Sequence, residues 1–398
     1  MPPIETSPKL ASAKALTLAA YACFVPIGVV TVLLGPLLPT LSTRWSLDYS
    51  QAGALFTAQF LASTIAVGLS GILVSRFGFR FAIKAGLVLI GMSVAALLAG
   101  SRLLGMVCIA GYGAGLGLAV PAANLVVAEV NPERRSASLN TLNFSWGVGA
   151  VACPFLVAAA VRIHRVPSLL LFVAGLSVVV AIAIAAMPAS IVEPASGRAA
   201  EGKKSLQFSW RNRALLVLVA LFFIYVGTEN GFGGWVASYA KSLGTLTTTM
   251  ALMTPSFFYA SLTLGRWAAP LALRSIEEVR LAQGGLLLAC AGMTGLLLSH
   301  SLVAVALSTF LAGLGLSSVY PITISLLSRE FGADASRVGS LMFTMANLGG
   351  SCLPWLVGVS SSQLGALKAG LAVPLVGGVV MYGLFLRDWK PARLEQPA

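Results

Sequence analysis

Long apolar runs, bounded by charges or by Pro/Gly clusters, recur from one end of the chain to the other. They fall near residues 16–41, 50–75, 82–100, 103–129, 139–161 and 167–187, then near 214–241, 248–272, 281–299, 302–328, 337–361 and 366–386. A helix that crosses a bilayer needs about 20 apolar residues. The pattern therefore predicts an all-α membrane protein of twelve transmembrane helices. Between the two sets lies the longest polar stretch, Pro188 to Asn212, with Arg198, Glu201, Lys203, Lys204 and Arg211. It divides the chain into an N-terminal six-helix half (1–187), a linker (188–212) and a C-terminal six-helix half (213–398).

Composition agrees with lipid as the solvent. Hydrophobic residues make up 57% of the 398 residues, charged residues only 10%, and mean hydropathy is +0.89. A soluble domain carries about 25% charged residues. The net charge of +13 is an orientation signal. With the N-terminus inside, only Arg44, Arg102, Arg162, Arg165, Lys241 and Lys368 of the 26 Lys and Arg residues fall on the outer side. The positive-inside rule then places both termini and the linker in the cytoplasm and leaves little basic surface for nucleic acid. The N-terminal segment, with Lys9 and Lys14, reads as a cytoplasmic tail rather than a signal peptide.

Other chemistries find little support. The five cysteines (Cys23, Cys108, Cys153, Cys290, Cys352) all lie in apolar runs without metal-ligand spacing, and only His164 and His300 supply imidazoles. Neither a metal site, a cofactor nor an enzymatic triad is expected. No Lys or Arg is read at the middle of a span, which argues against an anion carrier and for a neutral solute.

The two halves repeat. Pro121 recurs as Pro321, Gly149 as Gly349 and Pro154 as Pro354, each 200 residues on. Gly115-Leu116-Gly117-Leu118 is matched with Gly313-Leu314-Gly315-Leu316. Two parallel six-helix repeats with a solute site at their interface, near the midplane, form the architecture of the major facilitator superfamily. The loop after the second span, Gly71 through Ser75-Arg76, Gly78 and Arg80, resembles that superfamily's motif G-x-x-x-D-R-x-G-x-R, with Ser75 where Asp is expected. The resemblance implies a close helix approach at Gly71 and a weaker second-half copy at Gly265-Arg266, with Arg274 beyond it.

Within the superfamily the chain resembles the fucose–galactose–proton symporters and their sodium-glucose relatives. The residues that carry this are Ala122-Ala123-Asn124, Leu139-Asn140, Tyr225-Val226-Gly227-Thr228-Glu229 through Gly234-Trp235, Leu264-Gly265-Arg266 and Tyr320-Pro321. The resemblance implies a sugar, with H+ or Na+ as candidate coupling ion. Proton symporters of that group also carry acids in spans one and four. Here span one has none, and Val120-Pro121 precede Ala122, so the usual coupling residues do not carry over.

Of the 13 acidic residues, Glu229 alone sits in the middle of a span. An intramembrane carboxylate is costly and marks a pathway or a staple between helices, so Glu229 is the candidate for both solute binding and proton coupling. Neutral groups that could meet hydroxyls are Asn230, Asn124, Asn143, Asn347 and Gln59, with Tyr225, Tyr259 and Tyr320. Trp146, Trp235 and Trp355 could stack on a sugar ring or serve as interfacial anchors. Tyr320-Pro321 and Gly231, Gly233 and Gly234 offer places for helices to bend. The reading is a monomeric, multi-pass carrier of a neutral monosaccharide in a bacterial inner membrane, working by alternating access and contacting only solute, ion and lipid. Alternatives are an exporter of drugs or metabolites and a transport-inactive membrane sensor or scaffold.

Overall fold

A computed structural model describes residues 8–187, 212–387 and 389. All of the expected linker but Asn212 lies outside the described residues. The helices in chain order are α1 (Pro8–Val32), α2 (Leu34–Trp45), α3 (Tyr49–Phe77), α4 (Phe79–Ala96), α5 (Arg102–Val130), α6 (Arg135–Arg162) and α7 (Val166–Ala185). There follow α8 (Arg213–Ser242), α9 (Thr248–Ala272), α10 (Glu278–Leu298), α11 (Leu302–Leu316), α12 (Val319–Phe331), α13 (Ala335–Gln363), α14 (Leu367–Gly370) and α15 (Ala372–Phe385).

Three expected spans are interrupted, each four or five residues before a proline. The breaks follow Val32, Leu316 and Gly370, while the prolines stand at 36, 321 and 374. Proline has no N–H for the carbonyl four residues back, and its ring crowds that carbonyl. The orphaned carbonyls are those of Val32, Ser317 and Gly370, at the breaks themselves. Pro121, Pro154 and Pro354 stay inside continuous helices, so a proline permits such a break without enforcing it.

Among the described residues, eleven segments are long and apolar enough to cross a membrane. The eighth expected crossing, α9, has the length at 25 residues but not the apolarity. Thr254, Ser256, Ser261, Thr263 and Arg266 interrupt it. Thr254, Ser256 and Ser261 are buried, so its polar positions face protein.

Contacts among the described residues divide the chain into two compact units. The first holds residues up to Leu34 together with Ala58–Met187. The second holds Gly35–Thr57 together with the residues from Asn212 onward.

In the first unit the helices are held by small residues. A Cβ on Gly149 of α6 would strike the Val25 carbonyl of α1, and one on Gly28 would strike the Trp146 carbonyl. Gly86 of α4 and Gly115 of α5 face each other backbone to backbone, and Gly113 lies against the Gln59 carbonyl of α3. Such close approaches suit a bundle in lipid, where dispersion and polar contacts rather than a hydrophobic drive hold helices together.

The second unit repeats these devices. Gly349 of α13 lies against the Phe223 carbonyl of α8 as Gly149 lies against Val25. Gly315 faces Gly285 as Gly115 faces Gly86, and Gly313 lies against the Phe258 carbonyl as Gly113 does against that of Gln59. Packing therefore pairs Gly113 and Gly115 with Gly313 and Gly315, correcting the sequence match of Gly115 with Gly313. Caps repeat too: the Ser101 hydroxyl accepts from Leu104 N at the start of α5, and Ser301 accepts from Ala304 N at the start of α11. The glycines of α8 offer places to bend without breaking the helix. Helix α8 runs unbroken from Arg213 to Ser242, and Gly233 and Gly234 make room for the Tyr259 hydroxyl and the Phe56 ring.

Candidate functional site

Helix α8 sets Tyr225 and Glu229 one turn apart on the same face. Arg266 of α9 reaches both: its Nη2 lies 3.2 Å from Glu229 Oε2 and donates at 3.2 Å to the Tyr225 hydroxyl. The Tyr320 ring from α12 packs 5.4 Å from that of Tyr225, and Phe222 packs edge-on against Tyr320 and Phe343. The side chains of Glu229 and Arg266 keep 12% and 25% of their surface accessible. The cluster is thus a largely buried ion pair walled by phenol rings.

This arrangement corrects two readings of the sequence. Gly265-Arg266 is not a copy of the loop motif. The 200-residue repeat equates Arg266 with Ala66, inside α3, and not with Arg76 beside the loop. Nor does the membrane-spanning bundle lack a cation: Arg266 sits within α9, six residues before its end. A buried carboxylate needs a partner, because an unpaired one is costly by several kcal/mol. That need signals that some partner exists, but only the packing of α8 against α9 identifies it as Arg266. Gly265 is a packing position, where a Cβ would strike Ser317.

The loop motif makes contacts within the first unit. Gly78 takes φ 84° in the turn between α3 and α4, a conformation open to glycine at little cost. Arg80 donates from Nη2 to the carbonyls of Ile184 (3.1 Å) and Met187 (2.6 Å) at the end of α7, where a cation complements the helix dipole. The Ser75 hydroxyl, in place of the expected Asp, bonds its own helix at the Ile72 carbonyl. Arg76 is exposed. The close approach expected at Gly71 is not found: a Cβ there would meet open space among the described residues.

The other candidates divide. In the first unit Gln59 is 2% exposed, accepting from the Tyr112 hydroxyl at 3.1 Å and donating to the Thr31 carbonyl at 3.2 Å. Gln59 thus joins α3 to α5 and α1, and Tyr112, which the sequence did not single out, completes the network. Asn124, Asn143 and Asn230 each donate to the carbonyl four residues back, those of Val120, Leu139 and Val226. Each of these bonds occupies the amide's Nδ2 donor on its own helix. Trp146 and Asn347 are half-buried. Tyr259 is buried against Phe258, and Trp235 is buried with its indole N–H on the Pro354 carbonyl at 2.9 Å. Trp355 is 40% exposed. A cavity of about 300 Å³ in the second unit, lined by Tyr49, Trp235, Lys241 and several serines, does not include the Glu229–Arg266 pair.

A helical bundle with this many apolar crossings, whose charged pair is enclosed by aromatic rings, is built as a membrane carrier. The chain belongs to the Major Facilitator Superfamily, whose model matches residues 20–354. It is a multi-pass membrane transporter and not an enzyme. A glucose/mannose transporter, GlcP of Bacillus subtilis (strain 168), is 24% identical over 368 residues, 87% of this chain and 88% of that protein. The structure of a D-xylose-proton symporter superposes with a TM-score of 0.78 at 17% identity, covering 97% of this chain and 99% of the other. The Escherichia coli fucose:proton symporter FucP superposes at 0.65 and 20% identity, over 94% and 98%.

Proposed function

We propose that this transporter carries a small neutral polyhydroxylated solute, a monosaccharide such as a hexose. It works by alternating access of two six-helix halves, 1–187 and 213–398, joined by a cytoplasmic linker at 188–212. The observation that carries the reading is the Tyr225–Glu229–Arg266–Tyr320 cluster. Its carboxylate can accept from sugar hydroxyls, its guanidinium can donate to them, and phenol faces can cover the C–H surface of a ring. Similarity to a glucose/mannose transporter over most of both chains supports the substrate class. Asn230, Asn347, Asn124, Asn143, Trp146 and Trp355 supply further contacts in this reading, while Gln59 and Tyr259 act through packing. Both termini face the cytoplasm, and the membrane is a bacterial inner membrane.

The ion pair also shapes the question of coupling. A proton that reaches Glu229 has to displace Arg266, so coupling through this residue would work by breaking and remaking the pair. A carboxylate already neutralised by Arg266 exerts little net pull on lipophilic cations, which weighs against the exporter reading.

Ligand-induced stabilisation tests the substrate class. A ligand at 100 times its Kd stabilises the folded state by about 2.7 kcal/mol. Detergent-solubilised protein is heated with a panel of hexoses, pentoses, deoxyhexoses and, as controls, lipophilic cations. A melting shift with one or a few sugars, and none with the cations, is the expected result. A shift with the cations alone would transfer the assignment to an exporter.

A further inference from the structure

The Glu229–Arg266 pair has no counterpart in the first unit, where Val29 and Ala66 stand 200 residues earlier. Pseudo-symmetry accounts for the glycines and the caps, but not for these two charges. Nor is the pair sealed as a purely structural staple would be, since both side chains keep accessible surface. Taking the monosaccharide reading as given, we propose that this pair sets the charge selectivity of the site: neutral sugars are accepted, and sugar acids and amino sugars are refused.

One carboxylate and one guanidinium 3.2 Å apart sum to no net charge. A neutral sugar leaves that balance alone and can exchange hydrogen bonds with both groups. A sugar carboxylate would set two anions against one cation, and an ammonium would set two cations against one anion. In a low-dielectric site the surplus charge stays uncompensated, and refusing a ligand by such an unpaired charge is an effective source of specificity. The corollary runs the other way. With Glu229 neutralised, Arg266 has a surplus that a ligand carboxylate would relieve. With Arg266 neutralised, Glu229 has a surplus that a ligand ammonium would relieve.

The test is counterflow in proteoliposomes with three labelled probes on one ring: the neutral hexose that the wild type exchanges, its hexuronate and its 2-amino derivative (for glucose, glucuronate and glucosamine). Wild type, Glu229→Gln, Arg266→Gln and the double variant are compared. Wild type is expected to exchange the neutral sugar at least tenfold faster than either charged one. Glu229→Gln should shift the uronate-to-neutral ratio at least tenfold upward, and Arg266→Gln should do the same for the amino sugar. The double variant, again without net charge, should return to the neutral preference. Ratios in both single variants within twofold of wild type would overturn the proposal. So would all three variants failing with every sugar, which would leave the pair a structural staple. Failure of the wild type itself with every neutral sugar would instead strike the monosaccharide reading, a distinguishable result.

Discussion

Removing Arg266 alone should cost more stability than removing Arg266 and the charge of Glu229 together. At the observed 3.2 Å, two unit charges attract by about 5 kcal/mol at an effective dielectric constant of ~20. Desolvation of both groups offsets much of this, so the pair as a whole contributes little beyond what neutral groups of similar size would. Breaking it is another matter, because the partner left behind stays poorly solvated, at a typical loss of about 3–5 kcal/mol. Glu229 is only 12% exposed, so Arg266→Met is expected to destabilise by about 3 kcal/mol. Glu229→Gln with Arg266→Met should recover most of that, ending within about 1 kcal/mol of wild type and giving a coupling energy of at least about 2 kcal/mol. The assay is reversible denaturation of the four proteins in mixed micelles, followed by tryptophan fluorescence. A loss below about 1 kcal/mol for Arg266→Met, or a double variant as unstable as the sum of the singles, would refute the view that the two charges depend on each other.

Three further outcomes follow from the packing. Gly349→Leu and Gly149→Leu should each destabilise strongly, by at least the 1–3 kcal/mol of ordinary overpacking, since their side chains would strike backbone. Gly71→Leu, facing open space, should stay within about 1 kcal/mol; denaturation midpoints compare the three. Gln59→Leu should cost about 1–3 kcal/mol by leaving the Tyr112 hydroxyl and Thr31 carbonyl without their partner, and Tyr112→Phe combined with it should cost little more. Arg80→Ala should lose about 1–3 kcal/mol with the two carbonyl contacts at the end of α7, read as faster hydrogen exchange in residues 180–187.

How far the sequence reached depends on the range of the interactions involved. Crossings were legible because apolar length is a local property. Breaks at Val32, Ser317 and Gly370 were harder to read, since prolines elsewhere sit in continuous helices and only tertiary packing decides between the two. The loop motif shows the limit of matching by residue type. Gly78 and Arg80 make local contacts, Gly71 does not make the close approach expected, and Arg266, likened to the loop motif, lies inside α9. Glu229 stood out because a lone carboxylate in an apolar run is expensive, yet its partner is 37 residues away and appears only when α8 and α9 pack. Gln59 and Tyr112, 53 residues apart, met the same difficulty: a buried amide and a solvent-facing one look alike in sequence.

The central claim is that this superfamily member moves a neutral monosaccharide through a site containing Glu229 and Arg266. Counterflow of labelled glucose and mannose into sugar-loaded proteoliposomes, with no ion gradient imposed, tests it most directly. The account predicts transient accumulation of label that unlabelled sugar in the external buffer abolishes, and that is lost or changed in its sugar preference in Glu229→Gln. Well-folded wild-type protein that exchanges neither these sugars nor any other neutral monosaccharide would contradict it.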